Sequence, residues 1–311
     1  MSTTSASVWQ SKVVLHRGWH RLSNDDQTRP LENTRAAYIQ AAQLNAAYAE
    51  CDVWATRDGK MVLCHGSTFE SMVSSDYYPE DTRKISKQIE ELDWEEIKEF
   101  KLHDGSRPVL LSTVLDDLMG TNTRLAVELK CSRLALPLAK YLLQTPELAS
   151  AIGFVMGFSA DSVVILRGVL CNHAALSKMR VLWLVDNPTV PYLTEDKNEG
   201  ETTFNFLEHN VTQFLQAQSS YQSLLTVGFH GIYIQYRPGL TPSHISSMRQ
   251  ELSTLIGSAL SDIFVGIWSD GGLDPEFDTP ASLVRWTEIA DGVNTDCMYM
   301  KTITDIPSVL S

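Results

Sequence analysis

Apolar positions along this chain follow two rhythms that take turns. Short β-rich runs recur at Val13–Gly18, Tyr48–Thr56, Met61–His65, Leu125–Lys130, Ile152–Ser159, Arg180–Asp186, Gly231–Arg237, Asp262–Asp270 and Gly292–Asp296. Between them, Thr34–Leu44, Arg133–Leu143 and Pro242–Leu255 carry apolar residues at the 3.6-residue spacing of helices packed on one face. Strand and helix alternate, which predicts a parallel sheet covered by helices.

One pair of runs breaks the alternation. Tyr48–Thr56 and Met61–His65 are joined only by Arg57-Asp58-Gly59-Lys60, and Asp-Gly predicts a tight antiparallel hairpin. Pairing Thr56 with Met61 would set His65 opposite Asp52 across the ladder. With the return strand set aside, eight strands remain, the number that closes a (β/α)8 barrel. An open, doubly wound sheet is the alternative, but no Gly-rich phosphate fingerprint supports it.

A length of 311 residues suits one barrel domain spanning residues 1–311. The least regular stretch, residues 66–108, opens with Ser, Asp, Tyr and Pro and continues into an acidic run, Ile89–Phe100, with helical character. It reads as a small insertion at the mouth of the barrel. Thr194–Glu201 reads as a solvated charged loop.

Composition fits a soluble folded chain, with 43% hydrophobic and 20% charged residues. The net charge of −13 argues against a nucleic-acid partner and against electrostatic docking on anionic membranes. If such a chain handles a phosphate ester, its positive charge must be local, from a metal ion or a few aimed basic side chains. Five cysteines at irregular spacing form no CxxC pair and read as reduced thiols. No apolar run reaches the roughly 20 residues of a transmembrane helix. The Ser/Thr-rich start lacks the pattern of a signal peptide, so a cytoplasmic location is expected. Oligomeric state stays open.

Chemistry concentrates at the strand ends. Glu50 and Asp52 lie two apart on one strand and share a face, with Cys51 turned the other way; Glu128 and Lys130 repeat the arrangement. His16 and Arg17 close the first strand. In a barrel these ends converge on one face. Three carboxylates brought together would repel, and a divalent cation relieves them; all-oxygen ligation suits Mg²⁺ or Ca²⁺ better than zinc.

The ordered set LHRG (Leu15–Gly18), ENT (Glu32–Thr34), ECDVWATRDGKMVLCH (Glu50–His65) and VELK (Val127–Lys130) resembles the glycerophosphodiester phosphodiesterase family. FSAD (Phe158–Asp161), GIWSD (Gly266–Asp270) and DGVNTD (Asp291–Asp296) look like that family's later strand motifs. The resemblance implies a TIM-type barrel with Glu50, Asp52 and Glu128 as metal ligands and His16 and His65 as the catalytic acid/base pair. It further implies that Arg17 and Lys130 hold the phosphate and that Trp268 lines the substrate pocket. Glu32 and Asn33 would orient groups at the site, although Asn33 or Thr34 also suits a helix N-cap. Two departures stand out: Gly66 follows His65 where the family usually has Asp, and GIWSDGG replaces its more usual Trp-Thr-Val-Asn.

The expected reaction is hydrolysis of a small-molecule glycerophosphodiester to glycerol 3-phosphate and an alcohol. A lysophospholipase D or sphingomyelinase D type of activity is the second reading, and a non-catalytic barrel that binds a phosphorylated ligand the third. His20 falls outside the motif and is assigned to a loop or the surface. His103, His173, His209, His230 and His244 are assigned to surface or packing, and Trp183 and Trp286 to the core. Asp296 ends the last strand, where it could reach the site or cap a loop.

Overall fold

The computed structural model describes residues 11–21, 28–74, 82–185, 221–236, 239–269 and 277–296. The 194–201 loop, His209 and the expected strand ends at Asp186, Arg237 and Asp270 lie outside these residues.

Among the described residues nine strands form: β1 (Val13–Leu15), β2 (Tyr48–Ala55), β3 (Met61–Leu63), β4 (Arg124–Leu129), β5 (Ile152–Gly157), β6 (Arg180–Val185), β7 (Gly231–Gln235), β8 (Phe264–Trp268) and β9 (Gly292–Thr295). The sheet runs β1-β9-β8-β7-β6-β5-β4-β2, and β1 pairs again with β2, so eight parallel strands close into a ring; β3 hangs from β2 as an antiparallel return. Between strands run helices α1 (Arg35–Gln43), α2 (Thr82–Ile85), α3 (Trp94–Ile97), α4 (Leu111–Leu118), α5 (Ala135–Gln144), α6 (Ala160–Leu170), α7 (Tyr221–Val227), α8 (Pro242–Ile256) and α9 (Pro280–Thr287). This is the (β/α)8 barrel that the alternation predicts.

Alternation along each strand divides the core. Outward residues such as Cys51, Val53, Val127 and Val155 pack under the helices, while inward residues build a separate interior cluster. The floor of that interior is aromatic. Phe154 sits 5.5 Å from Tyr48, 5.7 Å from Tyr233 and 5.2 Å from Phe264, measured between ring centroids. Glycines make the room: a Cβ at Gly153 would fall 2.4 Å from the Tyr48 ring, and one at Gly266 would fall 2.2 Å from that of Tyr233.

After β3 the chain builds a third cluster, in which Phe69, Ile89, Leu92, Ile97 and Leu102 pack with Val62 and Cys64. The acidic run Ile89–Phe100, expected as one helix, forms a 3₁₀ turn (Ile89–Glu91) and then α3. Asp93 and Glu96 form a capping box that starts a new helix and ends the old one.

The hairpin corrects the expected register. Ala55 pairs with Met61, Trp54 with Val62 and Val53 with Leu63, so Asp52 falls opposite Cys64 and not His65. The Cys64 N–H donates to the Asp52 carbonyl at 3.1 Å. The turn is one residue shorter than expected, because Thr56 pairs with Lys60: its N–H donates to the Lys60 carbonyl at 2.9 Å, and its hydroxyl accepts from the Lys60 N–H at 2.9 Å. Gly59, at φ +78°, supplies the left-handed residue of this three-residue loop.

Candidate active site

The predicted strands overrun the observed ones at their C-terminal ends, and it is there, where the chain leaves the ladder, that the site assembles. A cavity of about 220 Å³ opens at this mouth, lined by His16, Arg17, Asp52, His65, Glu128 and Lys130 on one side and by Met156, Phe158, Leu184 and Trp268 on the other, with Asn294. Trp268 therefore lies at the cavity, while Trp183 and Trp286 pack in the core. His65, one position past the hairpin pairing that was expected of it, still reaches the rim.

Glu50, Asp52 and Glu128 are buried, and their carboxylate oxygens gather within 4.8 Å of one another. Two of them have protein partners for their charge. Lys130 Nζ lies 2.7 Å from Glu128 and 3.2 Å from Asp52, and Arg17 Nε lies 3.5 Å from Asp52. Glu50 is held differently: its Oε2 accepts the Arg17 backbone N–H at 2.9 Å, but Oε1 is buried with no hydrogen-bond partner. A buried carboxylate oxygen without a partner is costly unless something supplies the missing charge. Three converging carboxylates with one such oxygen fit a hard divalent cation, whose bonds to oxygen span about 2.0–2.6 Å.

Charge follows the geometry. Burial, with the Asp52 charge beside it, pushes the Glu50 carboxyl up to about 8. Asp52 moves the other way, to about 2: burial alone would raise it, but Lys130 and Arg17 outweigh burial. Glu128 is raised by burial and by Asp52, against the pull of Lys130.

The two imidazoles also differ. His16 Nδ1 meets Asp296 Oδ1 at 2.6 Å, and its Nε2 lies 4.0 Å from Glu50. Burial and Arg17 would lower His16, but the Asp296 and Glu50 carboxylates prevail and hold it at about 9. His65 is pushed down to about 4 by desolvation, with Arg17 and Lys130 adding to it against Asp52.

Supporting residues occupy specific backbone conformations. Thr34 caps α1 by accepting from the Ala37 N–H, which leaves Asn33 for the site. Asn33, in the left-handed region at φ 52°, donates to Asp52 Oδ2 at 2.8 Å and accepts from the Asp52 N–H at 3.2 Å and the Tyr38 hydroxyl at 2.9 Å. Glu32 receives the Arg17 guanidinium at 2.7 Å. Arg17 is itself left-handed at φ 51°, a conformation that costs energy for a residue with a Cβ and collects at functional sites. An added Cβ at Gly66 would lie 3.2 Å from the Thr68 carbonyl oxygen, so the backbone there leaves little space for the Asp that the family usually carries.

Two further residues belong here: Asp296, which the sequence left between the site and a loop cap, and His20, which falls outside the motifs. Asp296 reaches the site and binds His16. His20, assigned to a loop or the surface, is buried at 8% exposure, with Nε2 3.5 Å from Asp296. The backbone on either side of it is tied down: the Trp19 N–H donates to the Ala37 carbonyl and the Arg21 N–H to the Pro30 carbonyl. His230 and His244 serve packing and capping: His230 Nδ1 accepts the Val181 N–H at 3.1 Å, and His244 shares a capping box with Thr241.

The closed barrel thus brings carboxylates, imidazoles and two cations together at its C-terminal mouth. Residues 16–148 match the family model described as the Glycerophosphoryl diester phosphodiesterase family, a stretch that contains the first four motifs except for Leu15. Over that stretch, which is less than half of the chain, the sequence is similar to the glycerophosphodiester phosphodiesterase family. No curated protein sequence matches.

Solved structures share the fold across nearly the whole chain. A glycerophosphodiester phosphodiesterase from Parabacteroides distasonis is 17% identical, with TM-score 0.59 and 96% of this chain and 98% of that one covered. One from Thermotoga maritima is 16% identical, with TM-score 0.54 and coverage of 96% and 97%. A phosphodiesterase from Oleispira antarctica, solved in complex with the product sn-glycerol-3-phosphate, is 15% identical, with TM-score 0.57 and 98% of both chains covered. At these identities the likeness speaks to the fold.

Proposed function

We propose that this chain is a metal-dependent phosphodiesterase that hydrolyses glycerophosphodiesters to glycerol 3-phosphate and an alcohol. The buried Glu50 Oε1, with no partner in a ring of three carboxylates, carries the metal part of this reading. Glu50, Asp52 and Glu128 would hold Mg²⁺ or Ca²⁺, which when bound supplies Lewis-acid polarisation of the phosphoryl group. Arg17 and Lys130, cavity-lining cations in an acidic chain, receive the non-bridging phosphate oxygens, where charge grows in the transition state.

The imidazoles divide the proton work by their charge. His65, pushed down to about 4, is neutral at pH 7 and takes the proton of the attacking hydroxyl. His16, held at about 9, carries a proton and gives it to the alkoxide as the phosphorus–oxygen ester bond breaks. The attacking oxygen belongs either to water or to a neighbouring substrate hydroxyl whose cyclic phosphate is then opened by water. Glu32 and Asn33 act behind this line, on Arg17 and Asp52.

Residues 1–311 are read as one functional unit, with residues 66–108 as an insertion that shapes the mouth beside His65. The free cysteines suit a reducing compartment, and the cytoplasm is the proposed location. Among the described residues, no helix is long and apolar enough to cross a membrane.

The test is release of glycerol 3-phosphate from a panel of glycerophosphodiesters with Mg²⁺, with Ca²⁺ and with chelator. Turnover that needs the cation supports the proposal, and silence across the whole panel refutes it. The apolar wall of Met156, Phe158, Leu184 and Trp268 gives the lysophospholipase D reading a foothold. Choline release from lyso-lipids, assayed beside the deacylated substrates, decides between the two.

A further inference from the structure

His20 is a buried imidazole that the scheme above does not use. Its Nδ1 lies 2.7 Å from the Arg21 carbonyl oxygen. A carbonyl only accepts, so Nδ1 must carry a hydrogen and donate it. That leaves Nε2 buried, without a hydrogen-bond partner, and 3.5 Å from Asp296 Oδ1. With a lone pair, Nε2 would set one acceptor against a carboxylate oxygen. With a proton, it becomes a donor aimed at the same oxygen that His16 Nδ1 approaches at 2.6 Å.

We infer that His20 is a positioning residue for the proposed reaction: it pins Asp296 Oδ1 against His16 Nδ1 and so fixes which nitrogen of His16 faces the cavity. The inference rests on the hydrolytic reading for its catalytic consequence, though not for its geometry. His16 lines the cavity and His20 does not, so His20 acts only through Asp296. With Nδ1 committed to Asp296, His16 presents Nε2, the nitrogen on the Glu50 side, to the substrate. Loss of the pin lets the carboxylate swing, and the His16 ring loses the fixed partner that holds its orientation. The charged groups placed near His20 include Asp296 at its ring, His16 across that carboxylate, and Arg29, whose guanidinium donates to the His20 carbonyl at 3.4 Å.

The experiment compares His20→Leu and His20→Gln with the wild-type full-length chain, loaded with Mg²⁺. Two readouts are taken, steady-state kinetics on a glycerophosphodiester and the ¹⁵N spectrum of the His16 ring. His20→Leu is expected to lose about tenfold in kcat with KM little changed, the scale seen when a residue behind a functional ligand is removed. His20→Gln, which restores an N–H donor, is expected to recover most of that loss. In the spectrum, the His16 Nδ1–H held by Asp296 should give one sharp, strongly hydrogen-bonded signal in the wild type, and that signal should shift and broaden in His20→Leu. An unchanged His16 spectrum in both variants overturns the inference, whatever happens to the rate. If the wild type turns over no substrate, the hydrolytic reading fails, and the spectrum still decides whether His20 orients His16.

Discussion

The two ends of the barrel interior are built from the same strands and the same inward alternation, yet they do opposite work. On β2, Tyr48 enters the aromatic floor, while Glu50 and Asp52, further along the same face, enter the charged mouth. On β8, Phe264 is floor and Trp268 is mouth. The floor stacks rings and leaves glycines where the rings need space. The mouth crowds like charges into a buried volume and holds them with Lys130, Arg17 and a backbone N–H. The strands supply direction only; whether a layer stabilises the protein or carries its chemistry depends on what occupies successive inward positions.

That contrast can be broken from either end. The largest effect is expected from Glu50→Gln, which should cut kcat/KM by roughly a thousandfold as the cation site loses a ligand. Melting of the metal-free protein near pH 7 should not fall with it, since the Glu50 carboxyl, pushed up to about 8, is already largely protonated there and the amide keeps its shape. A mouth substitution that destroyed stability as well would erase the distinction. Replacing either imidazole, His16→Asn or His65→Asn, should cost about a hundredfold or more in kcat.

At the floor the signs reverse. Phe154→Ala should destabilise by about 3–5 kcal/mol in denaturant unfolding, while the folded fraction keeps its turnover.

Metal-free protein sharpens the comparison through pH. Glu50 binds its proton more tightly folded than unfolded, about 8 against 4.5, so this group's stabilisation is complete below 4.5 and is lost as pH rises through 8. Asp52, held at about 2, contributes stability that is present above 3.8 and lost only as pH falls through 2. Thermal melts of metal-free protein should therefore show a decline between pH 5 and 8 that Glu50→Gln flattens. Calorimetric titration with Mg²⁺ near pH 7 should release close to one proton per ion from the wild type and less from the variant.

The smallest effect belongs to the hairpin: Gly59→Ala meets no atom within 4 Å but forces a Cβ into the left-handed region, which should cost about 1 kcal/mol with activity unchanged.

Much of this architecture is legible in the chain because each strand announces itself locally. Val13, Tyr48, Met61, Ile152, Arg180, Gly231 and Gly292 are observed strand starts where the pattern puts them. The inward pairing of Glu50 with Asp52 follows from period-two geometry alone. What escaped depends on partners with no local trace. The hairpin slipped by one residue because the Thr56 hydroxyl and the left-handed Gly59 close a shorter loop than Asp-Gly spacing suggests. The 89–100 run broke in two because Asp93 and Glu96 make a cap. His20 carries no motif of its own, and Asp296, though it closes one, is brought to His16 only by closure of the ring. A His four residues after another at a strand end, together with an Asp at the close of the final strand, is a signal that could have been weighed as a pair.

Ring closure has a consequence for the order in which this protein comes into being. His16 stands beside β1 and Asp296 beside β9, and the two strands meet only through pairs such as Val13 with Val293 and Leu15 with Thr295. A nascent chain leaves the ribosome from residue 16 onward with its carboxylates and both motif histidines made early, yet the partner that sets His16 lies 280 residues further along. Contacts of such long sequence separation form late. Catalytic competence should therefore appear abruptly when the final strand docks, with little activity in partly made chains, and turnover becomes a direct reporter of barrel closure.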